Sequence, residues 1–151
     1  MLVQPNELTS ELYQEIIDEI TRENETEVIN QIKAAEDFCK SYLFKFDLMA
    51  LFGNDDTPPT VVDANLKKTV KIIASYWIVR KANPNVNLQL FRDDWEMMIG
   101  TQAEPGWLTQ VKEGYLVPNW PYKPDDPTTP EDESDTGEVA WYSNPKRNNY
   151  F

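Results

Sequence analysis

The apolar positions of the chain fall at helical spacing almost from the start, in stretches separated by short clusters of turn formers. Leu12, Ile16, Ile17 and Ile20 share one side of a helix predicted over Ser10 to Glu23, with Ser10 as its N-cap. Its other side carries Glu11, Glu15, Asp18, Glu19 and Glu23, so the helix is amphipathic with an acidic exterior. Asn24-Glu-Thr-Glu27 then reads as a capping box. Behind it Val28, Ile29, Ile32, Ala35, Phe38, Cys39 and Tyr42 trace the inner stripe of a second helix that runs to about Leu43.

Asp47 reads as the N-cap of a single turn, LMALF, which Gly53 closes in a left-handed conformation. NDDTPPT is a loop by its turn formers and paired prolines. Asp63 caps a third long helix with Leu66, Val70, Ile73, Ala74, Trp77 and Ile78 inside, and Asn83-Pro84 ends it. A helix from Leu88 to Ile99 points Leu88, Phe91, Trp95, Met98 and Ile99 inward. Gly100 interrupts it, Pro105 takes the first position of a last short helix, WLTQVKEG, and Gly114 stops that helix. No strand alternation occurs in the first 120 residues. The expected fold is all-α, a small bundle of four to five helices with an extended, proline-rich, acidic C-terminal tail.

The tail begins where the pattern stops. Residues 121–137 hold four prolines and six acids without one aliphatic side chain, too little apolar surface to offset ordering entropy, and read as an extended linker. Residues 138–151, EVAWYSNPKRNNYF, combine aromatic side chains with the adjacent bases Lys146 and Arg147, as in a docking peptide on a tether. The expected organisation is therefore a helical domain over 1–120, a linker over 121–137 and a docking peptide over 138–151.

Charge and chemistry narrow the function. With 26 acids against 14 bases the net charge is -12, a field that repels phosphate and disfavours nucleic-acid affinity, yet suits a surface that DNA slides past. Cys39 is the only cysteine, which points to synthesis in a reducing cytoplasm. The start lacks a signal-peptide pattern, and the apolar stretch IIASYWIV is too short to span a bilayer, so no membrane is expected. Without histidine, a glycine-rich phosphate loop or a Cys/His cluster, the chain is read as a non-enzyme that holds no cofactor and no metal. The remaining carboxylate candidates, Asp55 with Asp56 and Asp93, Asp94 with Glu96, are better read as a turn and a solvated helix face. Trp77, Trp95 and Trp107 are core anchors by their spacing. Trp120 and Trp141 lie outside the periodicity and point to an interface.

The blocks ELTSELYQEIIDEITR, SYLFKFDLMALFG, YWIVRKANPNVNLQLFRDDWE and WLTQVKEGYLVPNWP, in this order, together with the terminal SNPKRNNYF, resemble the small helical neck proteins of tailed phages. These are the head-completion or head-tail connector family typified by the Mu-like neck protein, in the version carried by phages of Bacteroides-type bacteria. The resemblance covers about residues 5–121 and departs at GTQAEPG, where the family pattern runs the last helix straight on.

The resemblance implies a ring of identical subunits, commonly dodecameric, that sits beneath the portal protein in the virion neck and extends the DNA channel. It further implies downstream neck or tail proteins as partners, and genomic DNA that passes without specific binding. On that reading Trp141, Tyr142, Asn144, Pro145, Lys146, Arg147, Asn148, Asn149, Tyr150 and Phe151 contact the portal or a neighbouring ring. Glu11, Glu15, Asp18, Glu19 and Glu23 form a candidate channel-lining face, with a merely solvated face as the other reading. The alternative function is a soluble adaptor that binds one folded partner through its C-terminal linear motif.

Overall fold

A computed structural model of the chain describes residues 1–54, 56–81 and 88–124. Among them it holds a 3-10 helix at Pro5–Ser10 and six α-helices, with no strand. The α-helices are α1 (Gln14–Thr21), α2 (Glu25–Tyr42), α3 (Leu48–Phe52), α4 (Ala64–Arg80), α5 (Gln89–Ile99) and α6 (Trp107–Glu113).

The two long helices make the central pair. α4 buries Leu66, Thr69, Val70, Ile72, Ile73, Ala74, Ser75, Ile78 and Val79, more than one stripe, because neighbours cover it on several sides. α2 gives Val28, Ile32, Ala35 and Cys39 to the same core, and Phe38 meets Trp77 edge-on at 5.7 Å. Helix starts follow side-chain chemistry. Asp47 Oδ1 accepts from the N–H groups of Met49 and Ala50, Asp63 Oδ1 from that of Leu66, and Asn24 Oδ1 from that of Glu27. The reciprocal half of the expected capping box is missing, since the Glu27 carboxylate instead meets Lys81 and Gln31.

Three local expectations change. Ser10 does not cap a helix: its hydroxyl donates back to the Glu7 carbonyl at 3.1 Å, and α1 starts only at Gln14. α1 also stops early, because Arg22 and Glu23 both take positive φ, 55° and 58°. Pro105 does not open α6, because Gly106 takes the N-cap position and Pro105 pairs back with Gly100 in an isolated bridge. The interruption GTQAEPG is thus a closed turn, tied by Thr101 N–H to the Glu104 carbonyl at 2.8 Å and by the Thr109 hydroxyl to the Ile99 carbonyl at 2.6 Å. A Cβ on Gly100 would stand 2.3 Å from the Gly106 nitrogen, at a φ of 102° that favours glycine in any case.

Both flanks of the body are fastened to α2 and its following loop. At one side Glu36, buried on α2, accepts from the N–H groups of Leu2 at 2.6 Å and Val3 at 3.2 Å. At the other, Asp47 N–H donates to the Pro121 carbonyl and Lys123 N–H to the Lys45 carbonyl, both at 2.9 Å. Phe46 stacks on Tyr122 at 5.2 Å and meets Trp120 edge-on at 5.3 Å. The packed body therefore continues through Lys123, into the segment that composition assigns to the linker.

Candidate functional site: the acidic surface of α1

The five carboxylates expected on one helical face are divided by the fold. Glu11 lies ahead of α1, where the Ser10 hydroxyl donates to it and Lys71 of α4 approaches to 3.8 Å. Glu23 lies past the end of α1 on a positive-φ residue. Only Glu15, Asp18 and Glu19 belong to α1 itself, and Asp18 accepts from the Gln14 amide at 2.7 Å. Glu15, Glu19 and Glu23 are exposed, and α1 carries no lysine or arginine along its length.

Three lysines of the α4 segment pair with other groups, and an exposed arginine, Arg22, caps the C-terminal end of α1 beside Glu23. Lys67 meets Glu7 at 2.9 Å, Lys71 turns to Ser10 and Glu11, and Lys81 pairs with Glu27. Burial works against the charge of Glu7, but the Gln4 N–H and the Lys67 ammonium outweigh it and hold the carboxyl below its ordinary range. These pairs compensate the acids on the α4 side of the amino-terminal segment. The solvent side of α1 keeps its negative field.

Two grooves border α1. One, of about 430 Å³, is lined by residues that include Pro5, Ile17, Val28, Asp18, Glu23 and Glu25, with no lysine or arginine in its lining. The other, of about 350 Å³, is mixed: Leu12, Tyr13, Ile16 and Phe91 line it together with Thr9, Ser10 and Glu11. Ile16, assigned by its spacing to the core, is 39% exposed here, and Tyr13 is 77% exposed.

Among the carboxylate candidates, Asp93 accepts from Gln89 and Glu96 pairs with Arg92 one turn away on α5, while Asp94 is exposed. Asp55 lies outside the described residues. Among the described residues no group of three or more histidine, cysteine or carboxylate side chains is placed to hold a metal ion. No described helix is long and apolar enough to cross a membrane. Burial and the Glu36 charge push the Cys39 thiol up to about 12, so it is a core side chain with no thiolate to offer.

Trp120 is not an interface residue of the free body. It is buried, edge-on to Phe46 and Trp107, and its indole N–H donates to Asp63 Oδ2 at 3.2 Å. Trp141, Tyr142, Asn144, Pro145, Lys146, Arg147, Asn148, Asn149, Tyr150 and Phe151 lie outside the described residues. Periodicity missed the aromatic groove because Tyr13 precedes the helix and Phe91 comes from a helix far along the chain. It missed the buried role of Glu36 because nothing local announces which N–H groups will reach it. No family model matches this chain, and no curated protein or solved structure does.

Proposed function

We propose that the protein is a virion structural component, a head-tail connector that assembles as a ring beneath a portal, extends the DNA channel and joins capsid to tail. The observation that carries this reading is the exposed pair Glu15 and Glu19 on α1, a helix without lysine or arginine, with Glu23 exposed just past its end, set on a helical body. A duplex moving along such a surface meets repulsion in place of the counterion-releasing contacts that would hold it. The resemblance of the sequence blocks to neck proteins supports the same reading. The terminal peptide then serves as the contact to the portal or an adjoining ring, with Lys146 and Arg147 selecting an acidic or carbonyl-rich surface.

The test is assembly. Light scattering and electron microscopy of the full chain, alone and with a portal ring from a phage of the resembling group, should show a ring or a portal-bound collar. Removal of residues 138–151 should leave the helical circular dichroism intact and abolish portal capture. A chain that stays monomeric at every concentration, with and without portal, overturns the connector reading.

A further inference from the structure

The two grooves beside α1 differ in chemistry, and the chain's own C-terminal peptide carries both cations and aromatic side chains. We infer that residues 138–151 dock in cis across α1 of the free subunit, with Lys146 and Arg147 in the acidic groove and Trp141 and Tyr142 in the aromatic one. This goes beyond the connector reading and does not depend on it.

Charge selects the occupant. The described body and residues 125–137 are both acidic, whereas residues 138–151 hold two bases, Lys146 and Arg147, against one acid, Glu138. They are the one stretch of the tail that the acidic surface attracts, while the preceding stretch is repelled from it. The acidic groove holds Asp18, Glu23 and Glu25 with no base in its lining, so two cations entering it meet three carboxylates. Arg22 is adjacent in sequence but does not line the groove. In the aromatic groove, the exposed faces of Tyr13 and Ile16 lose water when an indole and a phenol cover them.

Dimensions agree. Both grooves take lining residues from α1, a helix about 10–12 Å across. Tyr142 and Lys146 are four residues apart, about 13 Å of extended chain. The described chain leaves the body at Pro124, beside Phe46 and past the C-terminal end of α2, whereas Glu25 and Val28 at the N-terminal end of α2 line the acidic groove. The 18 residues of α2 span about 27 Å, and the 13 residues from 125 to 137 reach at most about 45 Å. The peptide can therefore reach its own α1, and a tether of this length gives it a millimolar-range effective concentration there, above that of any second copy in dilute solution.

Paramagnetic relaxation on the full chain tests this. Ser143→Cys, spin-labelled, is the sole reactive thiol because Cys39 is buried with its thiol pushed up to about 12. The expected result is loss of the amide signals of residues 13–25 in the labelled chain, and their recovery in Lys146→Glu/Arg147→Glu and in Asp18→Lys/Glu23→Lys, with unchanged circular dichroism. Mixing isotope-labelled chain without spin label and spin-labelled chain without isotope should leave the signals intact. Unattenuated α1 signals, attenuation that survives both charge reversals, or attenuation that appears in the mixed sample each overturn the cis dock, the last in favour of a neighbouring copy. The measurement contains no portal, so its outcome is separate from that of the ring experiment.

Discussion

Glu36 shows how much one side chain can organise. Burial pushes its carboxyl up from the ordinary value, against the opposing pull of the Val3 and Leu2 N–H groups, the amino terminus and Lys40. A carboxyl raised on folding binds its proton more tightly in the native state, so its unfavourable contribution is absent below the unfolded pKa and grows as pH rises through the folded one. Denaturant melts from pH 4 upward should therefore show a component of stability that declines with rising pH and is lost in Glu36→Gln. That variant keeps an oxygen for both N–H groups. Glu36→Leu strands them and should cost about 2 kcal/mol. Positive φ at Arg22 and Glu23 makes the opposite prediction: Glu23→Gly relieves left-handed strain and should raise stability by about 0.5 kcal/mol in the same melts.

Single carboxylates also join elements. Asp63 caps α4 with one oxygen and holds the Trp120 indole with the other, so Asp63→Ala removes both and should cost about 2–3 kcal/mol in urea titrations. Asp63→Asn retains most of the cap and should cost less. In the turn between α5 and α6, Gly100→Ala places a methyl against the Gly106 backbone and should cost about 1–3 kcal/mol, read as a lowered melting midpoint. The helices that begin at Asn24, Asp47 and Asp63 were legible in sequence because their caps are local chemistry. The chain from Pro5 to Tyr13 was not: a 3-10 helix lacks the 3.6 period, and Ser10 bonds backward to Glu7 instead of forward. Trp120 likewise stood outside any helical period because it fills the core from a loop.

At the scale of the molecule, the charge pattern matters more than any pocket. Replacing Glu15, Glu19 and Glu23 with lysine should give a body that retains duplex DNA where the unsubstituted one should not, with affinity falling steeply as salt rises in a fluorescence-anisotropy titration. The acidic side of α1 was legible as a class of residue, and its division was not, because Lys71 reaches Glu11 from a helix about sixty residues away.

The pairing of residues 121–123 with 45–47 has a mechanical consequence. Tension carried by the chain beyond Pro124 enters the body at this pairing, whose links include two backbone hydrogen bonds and the Phe46–Tyr122 stack. The loop before α3 thus acts as a strain relief for the tail. Pulled from its C-terminal side in a force spectrometer, the protein should release a short length of chain at low load before the helical body yields, and Phe46→Ala should remove that first step.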